Sequence, residues 1–308
     1  MTTDIRTLVL VGPTAVGKTS LSLEVAQVLA NDFGTTCEIV NADSMQLYRG
    51  MDIGTAKIAL HERQGITHHM IDVLDITESA SVSDYQSRAR EVITQIHERG
   101  HFAIVVGGSG LFVQALLDDM QFPGSDPQVR DSLMAQVEEF GVAQMYQRLA
   151  NLASEAAANI LPTNVRRIVR ALEVIELTGK APVTALPQLP PIVPSTRIGL
   201  RMDRHELDKR IEQRVNQMWH EGFVAEVALL ESQGLRSGVT ARKALGYQQV
   251  LAALQDEVTL DQAQQSTIFA TRRFARRQES WFKRDAKITW VNTFSITAAK
   301  IAATALGR

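Results

Sequence analysis

The segment that most constrains this chain lies near its N-terminus, where an apolar run leads into a loop bracketed by glycines. Thr7–Val11 (TLVLV) is typical of a buried parallel strand. Apolar residues recur at helical spacing after Lys18. The loop between them matches G-x-x-x-x-G-K-[ST] at every fixed position and reads Gly12-Pro13-Thr14-Ala15-Val16-Gly17-Lys18-Thr19. This order of strand, loop and helix predicts a phosphate-binding loop.

The residue types of the loop suit a phosphate ester. Glycines let successive backbone amides point into one concavity, the following helix directs its positive dipole end there, and Lys18 adds a full charge. The Thr19 hydroxyl is placed to hold Mg²⁺. We therefore predict that the whole loop binds a diphosphate or a nucleotide, with Thr19 as a metal ligand.

The loop alone does not identify the phosphate ester. A Walker B strand would normally end in Asp after four apolar residues, but the best apolar strand, Phe102–Val106, leads into Gly107-Gly108. The sequence also has no Asn-Lys-x-Asp guanine-recognition motif. These features argue against a motor ATPase or a GTPase and leave kinases and other phosphate-ester enzymes.

Apolar runs and helical patterns alternate along most of the chain. Cys37–Val40 and Phe102–Val106 resemble central strands, and Asp84–Arg99 between them has helical character. Such alternation predicts an α/β fold, a doubly wound parallel sheet flanked by helices as in P-loop kinases. Later in the chain the patterns predict strands at Thr196–Met202 and Lys287–Val291, and helices at Arg204–Glu221, Val224–Gln233, Ala241–Leu254 and Asp261–Lys283.

The pattern changes between residues 123 and 195, where we find helical patterns and no strand. Four helices are predicted, at Pro127–Phe140, Val142–Leu152, Glu155–Ile160 and from Val165 to a stop at Gly179, with Thr163 or Asn164 as N-cap of the last. Five of the nine prolines then fall between Pro182 and Pro194, which indicates a stiff, extended connector. We predict a helical insertion at 123–195 in a catalytic domain formed by 1–122 and 196–308.

A carboxylate follows the second predicted strand in Ile39-Val40-Asn41-Ala42-Asp43-Ser44-Met45-Gln46. In an open parallel sheet, ligands sit at the carboxyl ends of the strands. Asp43 is therefore expected to face the same crevice as the phosphate-binding loop. The alternative is that Asp43 only caps the turn or helix that follows.

Seven motifs together resemble the tRNA dimethylallyltransferase family, in order and over about residues 8 to 290. They are GPTAVGKT (12–19), NADSMQLYRGMDIGTAK (41–57), HHMIDV (68–73), VVGGSGLF (105–112), RRIVRALEV (166–174), KALGY (243–247) and TRRFARRQESWFKRD (271–285). The resemblance implies transfer of a dimethylallyl group from its diphosphate to the exocyclic amine of the adenosine 3′ to the anticodon. It further implies that Lys18 and Thr19 stabilise the departing diphosphate with Mg²⁺, and that Asp43 accepts the proton of the adenine amine.

The resemblance also implies the partners, namely a tRNA anticodon stem-loop and dimethylallyl diphosphate, with no obligatory protein partner. The residues that it assigns to tRNA are Asp43, Ser44, Met45, Gln46, Ser109, Arg130, Arg166, Arg167, Arg170, Arg242, Lys243 and Tyr247. Tyr247 is expected to supply a stacking ring. The assignment of Arg167 and Arg170 to tRNA phosphate or to diphosphate stays open.

A basic segment near the C-terminus fits an RNA substrate, although the whole chain has a net charge of −2. Residues 272–287 include seven basic and two acidic side chains. On a helix, Arg272/Arg276 and Arg273/Arg277 pair at i, i+4, while Ala270, Phe274 and Trp281 share an inward stripe. The outer side would then contact phosphates. The alternative is an ordinary solvated helix face.

Three rival functions are compatible with the loop: a small-molecule or nucleotide kinase with Asp43 as base, a prenyl transferase acting on free adenosine phosphates, and a non-catalytic RNA-binding ATPase. The first two leave the basic helix unexplained, and the third should have a Walker B strand. The chain has a single cysteine, Cys37, so it cannot form an intrachain disulfide. It also lacks a run of about 18–20 consecutive apolar residues, the length needed to span a membrane. We expect a cytoplasmic protein.

Overall fold

The structure of the chain is a computed structural model that describes residues 6–182 and 189–307. It divides into two compact units. The first unit comprises Met1–Asp119 and Pro191–Arg308, and the second unit comprises Met120–Pro190. Among the described residues, no helix is both long and apolar enough to cross a membrane.

The first unit is built on a six-stranded parallel sheet. Its strands are β1 (Thr7–Val11), β2 (Cys37–Asn41), β3 (His68–His69), β4 (Phe102–Gly107), β5 (Thr196–Arg201) and β6 (Ile288–Asn292). They lie in the order β3-β2-β4-β1-β5-β6, and every neighbouring pair is parallel. The fold class predicted from the alternating patterns is confirmed. Since the strands run in one direction, the loops after β1, β2 and β4 meet at one edge.

Helices cover the sheet and bury its apolar strands. In the first unit they are α1 (Lys18–Phe33), α2 (Val82–Glu98), α3 (Gly110–Leu117), α8 (Arg204–His220), α9 (Phe223–Ser232), α10 (Tyr247–Ala253), α11 (Leu260–Phe282) and α12 (Ala298–Ala305). β1, β2 and β4 are buried at every residue. Continuous burial explains why these strands read as unbroken apolar runs.

Apart from short 3₁₀ turns, four elements differ from the sequence predictions, and the first is the two-residue strand β3, which was not predicted. Helices α3 and α12 were not predicted, because α3 is apolar on most of its surface and α12 is a short run rich in alanine. The helix predicted at Ala241–Leu254 is two elements, a 3₁₀ turn at Ala241–Lys243 and α10. Gly246 separates them with φ of 86°, a left-handed conformation that favours glycine.

The described residues of the second unit form four helices, α4 (Pro127–Phe140), α5 (Val142–Leu152), α6 (Ser154–Ala158) and α7 (Val165–Thr178). The side chain of Asn164 caps α7 by accepting the Arg167 N–H, and α7 ends at Gly179, as predicted. The apolar faces of the helices form a separate core. Part of the predicted proline-rich connector, 183–188, lies outside the described residues.

Candidate functional site

The phosphate-binding loop lies between the end of β1 and the start of α1. Gly12 has φ of +144°, and a Cβ atom there would lie 2.6 Å from the Leu200 carbonyl oxygen of the neighbouring strand. Gly17, in the left-handed region, forms the N-cap of α1. The backbone amides and the N-terminus of α1 therefore face one concavity, where they favour an anion.

Lys18 is held by its own loop. Its Nζ donates to the carbonyl oxygens of Gly12 (2.9 Å) and Pro13 (2.7 Å). Burial lowers the pKa of Lys18 to about 7; Asp43 opposes this effect and Arg214 adds to it. Lys18 is consequently poised to gain a proton when a polyanion enters.

Asp43 lies just beyond the carboxyl end of β2, as its position in the sequence predicted. The side chain of Asn41 fixes the turn, because its Oδ1 accepts the Asp43 N–H (3.0 Å) and its Nδ2 donates to the Asp43 carbonyl (3.0 Å). One oxygen of the Asp43 carboxylate, Oδ1, accepts the Met45 N–H (3.0 Å). The turn-capping alternative and a chemical role are thus compatible, since the carboxylate also lines both cavities described below.

Arg214 on α8 is a site residue that sequence reasoning missed. Its Nη1 donates to the Thr14 hydroxyl (3.4 Å), and its charge acts on both Lys18 and Asp43. Burial lowers the pKa of Arg214, and Asp43 opposes that shift. The only sequence signal was an arginine about 200 residues from the loop, in a segment predicted as a helix and given no further role.

Gln278 on α11 was also missed, and it ties this helix to the phosphate-binding loop. Its Oε1 accepts the Thr14 backbone N–H (2.8 Å), and its Nε2 donates to the Gly108 carbonyl (2.9 Å). The residue is 4% exposed. A buried amide that satisfies two backbone groups fixes the relative positions of the loops after β1 and β4.

Two adjoining cavities meet at these residues. The larger cavity, of about 1130 Å³, is lined by residues of the phosphate-binding loop, including Lys18 and Thr19. The smaller, about 350 Å³, is lined by Ser109, Lys243 and Phe274 among others. The residues that line both are Thr14, Ala15, Asp43, Thr55, Arg214 and Met218. A carboxylate and an anion-binding loop thus stand where two ligands, one from each cavity, would meet.

The other residues assigned to tRNA in the first unit fall in several places. Ser44, Met45, Ser109 and Lys243 line the smaller cavity, and Ser109 Oγ accepts the Ser44 N–H (3.0 Å). Gln46 lines the larger cavity and donates to the Thr55 carbonyl (3.1 Å). Arg242 is exposed and donates to the Arg236 carbonyl (2.9 Å).

Tyr247 does not fit the stacking role expected of it. Its ring is 0% exposed and packs edge-on against Phe223. Its hydroxyl donates to Glu226 Oε1 (2.6 Å). The Glu226 carboxylate also accepts the backbone N–H groups of three successive residues, Asp52, Ile53 and Gly54. Tyr247 therefore supports the loop at 52–55, part of which lines the larger cavity.

In the second unit, Arg130 and Arg170 share one buried carboxylate. Glu173, which is 0% exposed, accepts from Arg130 (3.0 and 3.1 Å), from Arg170 (2.9 Å) and from the Asp126 N–H (3.0 Å). Burial would raise the pKa of Glu173, but these donors together hold it below its ordinary value. Both arginines are partly exposed. The remaining two predicted contacts, Arg166 and Arg167, are exposed on α7.

The buried side of the basic helix α11 agrees with the predicted stripe at Ala270, which is buried, and at Trp281, which packs partly buried against the core, but not at Phe274. Its buried side consists of Ala263, Thr267, Ile268, Ala270, Ala275, Gln278 and Phe282. Phe274 lines the smaller cavity instead, with the Arg277 guanidinium 5.7 Å from its ring centroid. Arg272 is paired with Glu212 of α8 (2.6 Å). Arg273, Arg276 and Arg277 are exposed, so three of the four paired arginines lie at the surface.

The residues near the loop fit a divalent cation held largely by a ligand's phosphates. Within 6–182 and 189–307, no group of three or more His, Cys, Asp or Glu side chains could hold a metal ion. Mg²⁺ often needs no such cage, since it keeps waters and binds one or two protein oxygens together with phosphate oxygens. The exposed Thr19 hydroxyl at the cavity wall matches that mode.

The parallel sheet, the glycine-bracketed loop and the carboxylate at the adjoining strand define a P-loop enzyme acting on a phosphate ester. Residues 46–285 match the family model described as IPP transferase. The chain belongs to this family, and the resemblance inferred from its motifs is confirmed.

Individual relatives agree over most of the chain. It is 53% identical to a tRNA dimethylallyltransferase of Thermobifida fusca over 284 residues, 92% of this chain and 89% of the relative. A solved tRNA isopentenylpyrophosphate transferase of Bacillus halodurans aligns with a TM-score of 0.69 at 39% identity, covering 97% of this chain and 94% of the other. A eukaryotic dimethylallyltransferase acting on tRNA aligns with a TM-score of 0.78 at 25% identity, covering 94% and 74%.

Proposed function

We propose that this enzyme transfers a dimethylallyl group from dimethylallyl diphosphate to the exocyclic amine of the adenosine 3′ to the anticodon in tRNA. The observation that carries the proposal is the boundary between the two cavities, which Asp43, Thr14 and Arg214 line from both sides. The larger cavity suits the prenyl diphosphate, and the smaller suits the base. We propose a cytoplasmic enzyme because tRNA is its substrate.

The diphosphate is the leaving group of the reaction. Main-chain amides of the loop, Lys18 and the Arg214 guanidinium stabilise the negative charge that grows on it as the allylic C–O bond breaks. Since these groups are already oriented around the cavity, little reorganisation is needed during the reaction. Mg²⁺, bound by Thr19 and the phosphates, would supply further neutralisation of the leaving group.

Asp43 acts on the acceptor. The lone pair of an adenine amine is delocalised into the ring, so the amine is a poor nucleophile. As the bond from this nitrogen to the allylic carbon forms, the Asp43 carboxylate takes the nitrogen's proton, a step that contributes about 10²–10⁴-fold. Asn41 orients the turn that presents the carboxylate.

RNA binding is assigned to basic residues in both units. The target base must leave its stack to enter the smaller cavity, at a cost of a few kcal/mol. Lys243, Arg277 and Phe274 line this cavity and offer charge and a ring for a single-stranded base. The other proposed phosphate contacts are Arg242, Arg273 and Arg276 in the first unit, and Arg130, Arg166, Arg167 and Arg170 in the second unit, which we propose as the tRNA-contacting insertion.

The decisive experiment incubates the purified protein with dimethylallyl diphosphate, Mg²⁺ and unmodified tRNA, followed by nucleoside analysis. The expected product is a tRNA with one dimethylallyl-adenosine beside the anticodon. Parallel reactions replace the donor with ATP or the tRNA with AMP. Phosphate transfer from ATP without prenylated tRNA would support the kinase alternative, and efficient prenylation of AMP would support the free-nucleotide alternative.

A further inference from the structure

A second arginine of α8 lies one turn before Arg214 and lines the same large cavity. Arg210 and Arg214 are four residues apart, which corresponds to a rise of about 6 Å along the helix. Both line the larger cavity together with Lys18 and Thr19. The mechanism proposed above uses Arg214 and leaves Arg210 without a role.

The Arg210 guanidinium is oriented by contacts other than an ion pair. It lies over the Phe294 ring, 5.2 Å from the centroid, and it lies next to the phosphate-binding loop, since a Cβ atom at Gly17 would be 4.0 Å from its Nη1. In the described part of the chain it makes no hydrogen bond or ion pair. Its neighbour Lys209, by contrast, pairs with Glu206 (3.2 Å). The hydrogen-bonding fork of Arg210 thus remains available beside the N-terminus of α1.

The two arginines differ in which cavities they border. Arg214 lines both cavities, whereas Arg210 lines the larger one and is absent from the wall of the smaller. The reacting carbon of the donor must lie at the shared boundary, near Asp43. Counting outward from that carbon, the α-phosphoryl group comes first and the β-phosphoryl group second.

From this order we infer that each phosphoryl group of the donor has its own guanidinium. Arg214 binds the inner, α-phosphoryl group, and Arg210 binds the terminal, β-phosphoryl group. Phe294 acts as a positioning residue that holds Arg210 by stacking. Arg210 therefore determines the selection of diphosphate esters over monophosphate esters. This inference rests on the proposed function, since it assumes a prenyl diphosphate donor.

The test measures binding without tRNA, by calorimetry, at a fixed Mg²⁺ concentration. The two ligands are dimethylallyl diphosphate and dimethylallyl monophosphate, which share the prenyl group and the inner phosphoryl group. Arg210→Ala should weaken diphosphate binding about tenfold to hundredfold, as expected for charge-assisted hydrogen bonds, and leave monophosphate binding unchanged. Arg214→Ala should weaken the binding of both ligands.

Further variants separate the contribution of the planar guanidinium group of Arg210 from the contribution of its charge. Arg210→Lys should restore part of the lost affinity, because the charge returns without the planar fork. Phe294→Ala should weaken diphosphate binding less than Arg210→Ala does. Lys209→Gln, which removes a neighbouring cation of the same helix, is the matched control and should bind both ligands like the wild type.

The outcomes distinguish this inference from the function on which it rests. If the wild type binds neither ligand and also fails to prenylate tRNA, the proposed function fails. If the wild type prefers the diphosphate and Arg210→Ala keeps the same preference, only the present inference fails. Equal losses for both ligands in Arg210→Ala, or a similar loss in Lys209→Gln, would reduce Arg210 to a general electrostatic effect and overturn the assignment.

Discussion

Donor binding should take up a proton at slightly alkaline pH, because Lys18 is largely neutral there before the donor arrives. Burial lowers its pKa from 10.5 to about 7 in the free protein. A bound diphosphate favours the ammonium form and raises this pKa again. The donor therefore binds best below pH 7, and its affinity falls as pH rises from about 7 towards the pKa of the complex.

The size of the effect follows from the two pKa values. If the complex regains the ordinary value of 10.5, binding at pH 8 takes up about 0.9 proton at Lys18, and affinity falls roughly fiftyfold between pH 7 and pH 9. Calorimetry at pH 8 in buffers with different ionisation enthalpies measures the uptake directly. The slope of observed heat against buffer enthalpy gives the number of protons.

The matched control is Lys18→Arg, since a guanidinium keeps its proton over this range. Protons exchanged by the phosphates themselves occur in both proteins, so the difference between wild type and variant reports Lys18. The expected difference is close to one proton. The same slope in both proteins would show that Lys18 is already charged in the free enzyme, and it would refute the reasoning.

Three further outcomes are expected. Asp43→Asn should slow single-turnover prenyl transfer by about 10²–10⁴-fold with unchanged tRNA affinity; near-normal turnover would remove its role as base. Gln278→Leu leaves the Thr14 N–H and the Gly108 carbonyl unpaired, so the free energy of unfolding, measured by urea titration, should fall by about 1–3 kcal/mol. The KM for the donor should rise as well. An unchanged midpoint of urea unfolding would contradict this prediction. Glu173→Gln should lower the stability of the second unit by about 1–3 kcal/mol, because Arg130 and Arg170 then lie close together without a counter-charge. Hydrogen exchange of the α7 amides measures this loss, and unaltered protection would count against the prediction.

The sequence was sufficient to predict the parts of the site that are local in the chain. The phosphate-binding loop has a fixed spacing, and Asp43 could be placed because parallel strands end at one edge. Helix α7 and its Asn164 cap were likewise encoded by neighbouring residues. These features depend on short stretches whose geometry is set by backbone conformation.

The parts that could not be predicted are side chains brought in from distant helices. Arg210 and Arg214 lie on a polar helix whose orientation depends on packing against α11, and Gln278 is a polar residue within a basic segment. The sequence gives no sign that Gln278 is buried while Arg277 beside it is exposed. Tyr247 is the opposite case, because an aromatic residue next to basic residues was expected to stack on RNA, whereas its side chain is buried in the core.

The Glu226 carboxylate has a consequence for where anions bind. The main chain at 52–54 forms a small amide nest, similar in principle to the phosphate-binding loop, in a segment that borders the donor cavity. Glu226 fills that nest with an internal anion, so its amides do not compete for the phosphates of the donor. The amides at 52–54 are thereby satisfied within the chain, which favours an orientation of the donor with its phosphates towards α1.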